Sequence, residues 1–477
     1  MAAAPDIVAE LLTELRAETE RLDRIDRYVR GDHDGPYMPR TASREYRLLA
    51  KRAVTNLVPL IAGSIAQALY VDGYRNADGS TASAWRWWQA NGLDARQSGV
   101  HRAMLTYGLA YVTVLPGDVL DDVAGRAPVI RGVSPRRMHA RYDDPAEDEW
   151  PVDAVRADRV TLDGEPRLKV RYYDDQAVTE FHGDTDGANL VEVETVEHGA
   201  GVCPVIAFRD LPDLEGRSVG QVEPHIPLQD RLNQTVFDLL VAQSFSSFKV
   251  RTVTGLTPQL DDDGKPVPIP IDARRLLMAA DPDTRFGQLD ETDLRPLLDS
   301  ADAIMRHLAV VSQTPPQDLL GNLANLSAEA LTAARDGFTR KRSEEQVITG
   351  EAWEQTLRLA SRIAGDETTW TDTAAQVSWR DTDGHSLSLL ADALGKLASM
   401  LEVPVEGLWP RIPGTTSTDI ENWQRLRADA RAADPMRLLA DHVNTAATTA
   451  GAGVDGGRIG DGDQNHGRPP PQPSGTG

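Results

Sequence analysis

The sequence predicts an α+β fold in which helices predominate. Apolar residues recur every three or four positions in long stretches towards both ends of the chain, whereas between residues 110 and 208 they alternate with polar residues. The first spacing is that of an amphipathic helix, and the second is that of a half-buried strand. The length of 477 residues predicts two to four structural units, and a hydrophobic content of 40% predicts that most of the chain is globular.

The N-terminal part is predicted to be helical. Apolar spacing indicates one helix over residues 6–28 and another over residues 43–69, with a kink at Pro59. The stretch YVDGY that follows has the composition of a turn, and residues 94–107 return to helix. Three tryptophans precede that last helix, and we interpret them as a core anchor with one exposed ring rather than as a ligand box. They are Trp85, Trp87 and Trp88.

Residues 110–208 contain short alternating runs joined by turns rich in Gly, Asp and Pro. Their number and length predict an antiparallel unit of about five to seven strands. Within it, LKVRYYDDQAVTEFH has the pattern of a β-hairpin, because two alternating runs flank an Asp-Asp turn.

Two predicted helices flank a small insertion. Apolar spacing predicts helices over residues 224–247 and 293–311, the second capped by Asp293 and stopped by Pro315. Residues 249–291 between them read as short strands and turns. Because the chain leaves on one helix and returns on the other, the insertion is predicted to be a small domain on two helical stalks.

A leucine-rich loop and a long helix follow. The loop QDLLGNLANL carries four leucines, whereas a loop exposed on a monomer is usually polar. The leucines therefore indicate burial, either against another copy or segment or against the loop's own domain, and both alternatives stay open. The helix is predicted to begin after Ser327 as N-cap and to run to about Ala364, a length of about 55 Å.

The C-terminal part combines a strand, helices and a polar tail. AAQVSWRD is predicted to be a strand that returns to the earlier sheet, followed by a helix over residues 385–400, a loop VPVEGLWPRIPG and a helix over residues 418–442. From about residue 445 the chain is rich in Gly and Pro and low in apolar residues. That composition predicts disorder.

The charge balance limits the kinds of partner. With 73 acidic and 50 basic residues, the formal net charge is −23, which disfavours a protein that grips duplex DNA through a basic face. The one basic cluster consists of Arg335, Arg340, Lys341 and Arg342 on the long helix, a pattern typical of a solvated face. Cys203 is the only cysteine, so no disulfide can form within the chain. No signal peptide and no apolar run of membrane-spanning length are expected.

Sequence motifs for catalysis are weak. Gly216-Arg-Ser-Val-Gly220 matches the nucleophile elbow G-x-S-x-G, but an elbow needs a strand directly before it and a helix directly after it. No phosphate-binding G-x-x-x-x-G-K-[ST] or metal-binding H-E-x-x-H pattern occurs, and the Asp-rich segments near residues 261 and 381 lack the glycine and glutamate of calcium loops. We expect no catalysis, cofactor or metal, and a serine hydrolase that uses Ser218 is the alternative.

The order of predicted elements, together with local sequence, resembles the portal proteins of tailed bacteriophages, in particular the type common in phages of actinobacteria. The similar segments extend over most of residues 45–430, and it is their order and spacing together that make the resemblance specific. They are RAVTNLVPLIAGSIAQALYVDGY, HRAMLTYGLAYVTVLPG, GRSVGQVEPHIPLQDRLNQTVFD, SQTPPQDLLGNLANLSAEAL and VSWRDTDGHSLSLLADALGKL.

The resemblance implies a portal-like division of the chain: a strand-rich wing, two stem helices, a clip, a tunnel loop, a long wing-spanning helix and a helical crown. The implied ranges are the wing at 1–221, stem helices at 222–247 and 293–312, the clip at 248–292, the tunnel loop at 313–326, the long helix and returning wing strand at 327–383, the crown at 384–444 and a disordered tail at 445–477.

The resemblance also implies a role without catalysis. A dodecameric ring at one capsid vertex would be the conduit for genome packaging and ejection, with double-stranded DNA passing through it without sequence specificity. The terminase large subunit and then the head–tail adaptor would dock on the clip, and major capsid and scaffolding proteins would contact the wing. The ring would be assembled in the host cytoplasm and carried in the virion, without a membrane. A smaller virion ring, such as an adaptor, is disfavoured by the length of this chain.

Two groups of candidate site residues follow from this resemblance. The tunnel loop would form a collar round the channel, with its leucines packed between neighbouring subunits, and the basic cluster would contact DNA or close subunit interfaces. The collar residues are Gln317, Asp318, Leu319, Leu320, Gly321, Asn322 and Leu323, and the basic residues are Arg340, Lys341 and Arg342.

Overall fold

The computed structural model describes most of the chain. The described residues are 5–117, 128–162, 164–246, 251–254, 285–288, 293–320, 328–381, 387–412, 415 and 417–432. They belong to two compact units, Met1–Asp383 and Gly384–Gly477. Among them, no helix combines the length and the apolar character needed to span a membrane.

The described residues contain both helices and strands, as an α+β fold requires. The helices are α1 (Pro5–Val29), α2 (Arg44–Arg52), α3 (Val58–Ala68), α4 (Trp85–Ala90), α5 (Leu93–Tyr107), α6 (Ile226–Ser246), α7 (Arg295–Ser312), α8 (Pro316–Leu320), α9 (Ala328–Ile363), α10 (Glu367–Trp370), α11 (Leu387–Met400), α12 (Val405–Leu408) and α13 (Ser417–Ala432). The strands are β1 (Val71–Arg75), β2 (Leu109–Leu115), β3 (Val129–Val133), β4 (Met138–Arg141), β5 (Asp153–Leu162), β6 (Glu165–Tyr173), β7 (Ala177–Gly183), β8 (Val191–Glu197), β9 (Val205–Arg209), β10 (Arg251–Thr254), β11 (Arg285–Gln288) and β12 (Gln376–Trp379).

The strand-rich region forms two antiparallel sheets rather than one unit. Strands β4 to β8 pair in chain order, and β2 lies between β3 and β9 in a second sheet. The described residues from β2 to β9 thus contain eight strands, one more than the upper limit predicted. The sequence pattern cannot show the split, because β2 and β9 pair although the five-stranded sheet separates them along the chain.

The predicted hairpin is confirmed as β6 and β7. Tyr173 pairs with Val178, and the Asp174 carboxylate accepts backbone hydrogen bonds from Gln176 and Ala177 at 2.8 and 2.7 Å. This is an Asx-type turn, in which the aspartate side chain supplies the acceptor that the backbone lacks. The N-terminal helix α1 packs its apolar side on this sheet, where Leu11 is completely buried.

Two predictions for the segment that follows α1 are wrong. The single kinked helix is two helices, α2 and α3, and Pro59 lies in the first turn of α3. A proline has no N–H to donate, so it fits the start of a helix better than its interior. The stretch YVDGY is not a turn but contains β1, whose partner is β12. The strand after the long helix therefore pairs with β1 instead of returning to the earlier sheets.

The main core gathers around two tryptophans from distant parts of the chain. Trp88 is fully buried, with its ring edge-on to Trp353 of α9 at 4.8 Å and stacked on Trp85 at 5.1 Å. Trp85 and Trp87 are half-buried, so none of the three is the exposed ring that we expected. Their role as a core anchor is confirmed by this packing.

The two helices predicted to be stems, α6 and α7, pack side by side, with Leu232 of α6 in one apolar cluster with Ile304 and Leu308 of α7. At the far end, β10 and β11 pair with each other, as expected for an insertion between two stalks. The rest of the predicted clip lies outside the described residues.

The second unit contains α11, α12 and α13. The predicted loop VPVEGLWPRIPG contains the helical turn α12 and a 3₁₀ turn, Trp409–Arg411. Trp409 meets Trp423 of α13 edge-on at 5.9 Å, and Arg427 pairs with Glu406 at 2.9 Å. The end of the helix predicted over 418–442 and the tail at 445–477 lie outside the described residues.

Candidate functional site at the end of the second stem helix

The second stem helix ends in a sharp reversal. At its start, the N-cap residue is Leu294 rather than the predicted Asp293, and the Asp293 carboxylate accepts a hydrogen bond from the Arg295 N–H at 3.0 Å one residue before the cap. At its end, Gln313 adopts a left-handed conformation with φ of 53°, and the Thr314 N–H donates to the Ala309 carbonyl at 3.0 Å. The helix therefore stops before Pro315, as predicted, and the chain turns towards α8.

The predicted tunnel loop begins with a helix rather than an irregular segment. Helix α8 covers Pro316–Leu320 and directs Leu319 into the chain's own core, where only 7% of the residue is exposed. The apolar contacts of Leu319 in the single chain are thus intramolecular, which argues against the predicted packing between subunits. Its cluster contains Leu57 and Ile61 of α3, Leu232 of α6 and Leu308 of α7.

The other collar residues are placed differently. Gln317 is half-buried and Asp318 is exposed. The side chain of Leu320 and all of Gly321, Asn322 and Leu323 lie outside what the structure describes. For these residues the tunnel-loop role stays a prediction.

Asp318 and Arg342 line the same open cavity, although they were predicted for separate roles. The cavity has a volume of about 910 Å³, and its walls include Arg102 of α5 and Phe338 of α9. Although Asp318 is exposed as a whole residue, partial desolvation of its carboxyl group raises its pKa, and the positive charge of Arg335 opposes that shift. The cavity therefore carries charged groups of both signs beside the start of the tunnel loop.

The residues of the basic cluster on α9 differ in how deeply they are buried. Arg340 is exposed and Arg342 is half-buried, but Lys341 is buried. The Lys341 Nζ donates to the Gln221 Oε1 at 2.6 Å and to the Ser312 carbonyl at 2.9 Å. Both acceptors belong to the same chain, which argues against the predicted contact of Lys341 with DNA or a neighbouring subunit. Burial lowers the pKa of the Lys341 ammonium group.

Lys341 connects the long helix to both stems. Gln221 lies two residues before the 3₁₀ turn Glu223–His225 that leads into α6, and Ser312 is the last residue of α7. The Gln221 amide nitrogen in turn donates to both carboxylate oxygens of Asp210, at 3.0 and 2.9 Å. One chain of hydrogen bonds thus links α9, the ends of the two stem helices and the loop after β9.

Sequence reasoning missed this network because it treated the basic cluster that contains Lys341 as a solvated face, and Glu345 was not among the candidate residues. The apolar side of α9 contains a signal that identifies them. Phe338 and Ile348 belong to that side, and Lys341 and Glu345 fall between them at spacings of three and four residues. Two charged residues in phase with an apolar stripe indicate buried, paired charges.

Ser218 has a structural role in the loop after β9. Its hydroxyl lies 2.6 Å from the Gly108 carbonyl and also within hydrogen-bonding reach of the Asp210 carbonyl. The residues around it form turns, with no strand directly before and no helix directly after. The nucleophile elbow is therefore absent at this position, and the described residues contain no group of His, Cys, Asp and Glu arranged to hold a metal ion.

Comparison with known proteins agrees with this architecture. The family model described as phage portal protein, SPP1 Gp6-like, matches residues 9–435. The portal protein of Mycobacterium phage L5 is 27% identical over 355 residues, and that of Mycobacterium phage D29 is 28% identical over 357 residues; each match covers 71% of both chains.

Two solved structures also align with the chain. A chain from the virion of a native gene transfer agent particle aligns at 12% identity with a TM-score of 0.45, over 82% of this chain and 100% of its own. A chain from the neck of such a particle, computed with C12 symmetry, aligns at 13% identity with a TM-score of 0.43, over 78% of this chain and 92% of its own. Because the family model covers most of its length, the chain belongs to the SPP1 Gp6-like family of phage portal proteins and is a structural component of the virion, not an enzyme.

Proposed function

We propose that this chain assembles into a ring of twelve subunits at one vertex of the capsid, through which double-stranded DNA enters during packaging and leaves during ejection. The observation that carries the proposal is the family match over residues 9–435. The DNA is bound without regard to sequence, and the ring forms in the host cytoplasm before it becomes part of the virion.

The stem helices support assembly because a single chain leaves apolar side chains of α7 uncovered. Leu298, Val310 and Val311 are 51%, 74% and 61% exposed, although Ile304 and Leu308 of the same helix are buried against α6. Exposed apolar side chains on an element that already has one packed side favour a second partner. In a ring, that partner is the stem of the neighbouring subunit.

The charge of the chain suits a passage for DNA. A formal net charge of −23 is repeated in every subunit, so duplex phosphates meet few places where they bind tightly. Repulsion of this kind lets the duplex slide. Arg340 and Arg342 remain the candidates for contact with DNA or with a neighbour. Gln317, Asp318, Leu320, Gly321, Asn322 and Leu323 remain the proposed tunnel-loop residues.

The partners follow from the proposed division into wing, stem, clip and crown. The clip binds the terminase large subunit during packaging and the head–tail adaptor afterwards. The wing contacts major capsid and scaffolding proteins. Pull-down of each partner with the full chain and with a chain lacking residues 248–292 tests the clip assignment: terminase and adaptor binding should be lost, and scaffold binding should stay.

The native mass of the purified full chain, with negative-stain images of the same sample, tests the ring. Closed rings of about twelve copies with a central hole are expected, either alone or after addition of the scaffolding protein. A chain that stays monomeric with the scaffold present overturns the proposal.

A further inference from the structure

A carboxyl group without a hydrogen-bond donor lies in the centre of the molecule. Glu345 of α9 is completely buried, and neither of its side-chain oxygens receives a hydrogen bond from an N–H or O–H group of the described residues. A buried carboxylate in that situation is costly, since nothing replaces the water it has lost. The carboxyl group of Asp210, which is also buried, lies beside it and further raises the pKa of the Glu345 carboxyl group.

The neighbouring contacts leave one arrangement in which Glu345 and Asp210 can be joined by a hydrogen bond. Gln221 directs its amide nitrogen to both oxygens of Asp210 and its amide oxygen to the Lys341 Nζ, which fixes how the amide is oriented. Asp210 thus already accepts the Gln221 amide donor, and the group that Glu345 faces is the Asp210 carboxyl group, itself an acceptor. Two carboxyl groups form a hydrogen bond only when one of them carries a proton.

The charges of the buried groups also favour a state in which the two carboxyl groups share one proton. Asp210, Glu345 and Lys341 are the ionisable groups of this cluster, which we call the carboxyl joint. With one proton shared by the two carboxyls, one negative charge faces one ammonium group and the joint is neutral. Without that proton, two negative charges share one positive charge in a buried site, which raises the energy of the folded state.

Among the described residues, Lys341 is the positive charge that acts on Glu345 and Asp210. His225 lies beside Gln221, with its Nδ1 2.9 Å from the Gln221 carbonyl oxygen. Its pKa is lowered by burial and by the charge of Lys341, so it is neutral at pH 7. From α9 itself, Glu344 adds a negative charge that further disfavours ionisation of Glu345.

Backbone contacts hold the joint rigidly. The Asp210 N–H donates to the Gly108 carbonyl at 2.9 Å, and the Gln221 N–H donates to the Leu105 carbonyl at 2.7 Å. Both partners belong to the end of α5 and the residue that follows it. Asp210 and Gln221 are therefore held by the end of α5, whereas Glu345 and Lys341 belong to α9.

We propose that Glu345 keeps a proton at neutral pH and shares it with Asp210, and that this shared proton makes the attachment of the long helix to the wing and to both stem helices sensitive to pH. The joint connects β9, the start of α6, the end of α7 and α9. Loss of the proton would weaken the contacts among these four elements at the carboxyl joint.

The sign of the pH dependence follows from the direction of the shift. Burial, and then the contact with Asp210, raise the pKa of Glu345 above the 4.5 of a free glutamate. As pH rises above 4.5, the unfolded chain loses this proton and the folded chain keeps it, so the contribution of Glu345 to stability falls with increasing pH. A glutamine at this position donates an N–H to Asp210 and has no proton to lose.

The test compares the melting temperature of the full-length wild type with those of Glu345→Gln and Asp336→Asn at several pH values from 5 to 9. Asp336 is the matched control, because it is exposed on the same helix. We expect Glu345→Gln to melt close to the wild type at pH 5 and to exceed it by about 2 °C or more at pH 8 to 9. The Asp336→Asn variant should follow the wild type throughout.

A constant difference between Glu345→Gln and the wild type, or one that falls with pH, overturns the proposal, because Glu345 would then be ionised in the folded chain. Infrared spectroscopy of the wild type is the second measurement and needs no variant to fold. The carbonyl stretch of a buried protonated carboxyl is expected at pH 7, and its absence also overturns the proposal.

Discussion

Two glycines, Gly108 and Gly220, allow two backbone segments to pass close to each other. Gly108 and Gly220 have φ values of 85° and 82°, which L-residues with a side chain rarely adopt. A Cβ on Gly108 would lie 2.6 Å from the Ser218 carbonyl oxygen, and one on Gly220 would lie 2.5 Å from the Gly108 nitrogen. Both positions therefore require glycine, since it is backbone, not a movable side chain, that fills the space.

Substitution of Gly108 by Ala is expected to lower the free energy of unfolding by more than about 2 kcal/mol, because it adds a clash to an unfavourable φ. Gly337→Ala is the control: Gly337 lies inside α9, and a Cβ there meets nothing within 4 Å. That variant should be more stable by about 0.5–1 kcal/mol. Denaturant unfolding measures both, and a neutral Gly108→Ala would contradict the close contact.

Leu319 provides a second test at the residue scale. Its replacement by Ala should cost about 2–4 kcal/mol of folding stability, as for other buried leucines. Leu214, which is 97% exposed, is the control, and its replacement by Ala should change stability by less than about 0.5 kcal/mol. If Leu319→Ala left the stability of the monomer unchanged and weakened only the ring, Leu319 would belong to the collar after all.

At the scale of elements, α9 organises the first unit. It spans 36 residues, and its buried side carries Lys341 and Glu345 towards the stems and Trp353 into the main core. The helix ends at Ile363, one residue before the predicted limit, and Gly365 follows with φ of 80°. A left-handed glycine just beyond the last turn is a common way to end a helix.

The role of Lys341 in this element can be separated from a role in binding DNA. Lys341→Met removes the charge that balances the carboxyl joint and should lower the free energy of unfolding by about 3–5 kcal/mol, since a buried charge loses its partner. Arg340→Met, at an exposed position next to it, should change stability by less than about 0.5 kcal/mol. Chemical denaturation of the two variants measures both free energies of unfolding and tests whether Lys341 has a structural role. A stable Lys341→Met variant that binds DNA more weakly would restore the original prediction.

At the scale of the whole molecule, the single chain leaves apolar side chains of α7 exposed to solvent. The stem helices bury one side against each other and leave Val310 and Val311 of α7 largely exposed. These residues follow Ala309 directly and precede the reversal at Gln313, so the exposed valines lie at the end of the helix that leads to α8.

Val310→Asp should therefore reduce the fraction of closed rings at least about tenfold at a fixed protein concentration, because a charge in an apolar contact costs more than 1.4 kcal/mol per interface. Asp302→Asn, which changes an exposed charge on the same helix, is the control. Native mass measurement gives the ring fraction, and the melting temperature of the monomer should stay the same. Rings of normal abundance would remove Val310 from the interface.

Local spacing along the sequence was sufficient to predict helices α1, α5, α6, α7 and α9 and the β6–β7 hairpin. Each depends mainly on residues within a few positions of one another, so periodicity and turn composition determine it. The order and spacing of five segments also led to the portal family. The sequence predicted less well where short stretches have weak patterns, as in β1 and α8.

The tertiary structure alone decided which of the predicted site residues are available. Whether Leu319 faces a neighbour, and whether Lys341 faces solvent, depends on what packs against them from α3, α6 and α7. The pairing of β1 with β12 and the meeting of Asp210 with Glu345 likewise join residues far apart in the chain. Such contacts arise from the packing of whole elements, and no local spacing encodes them.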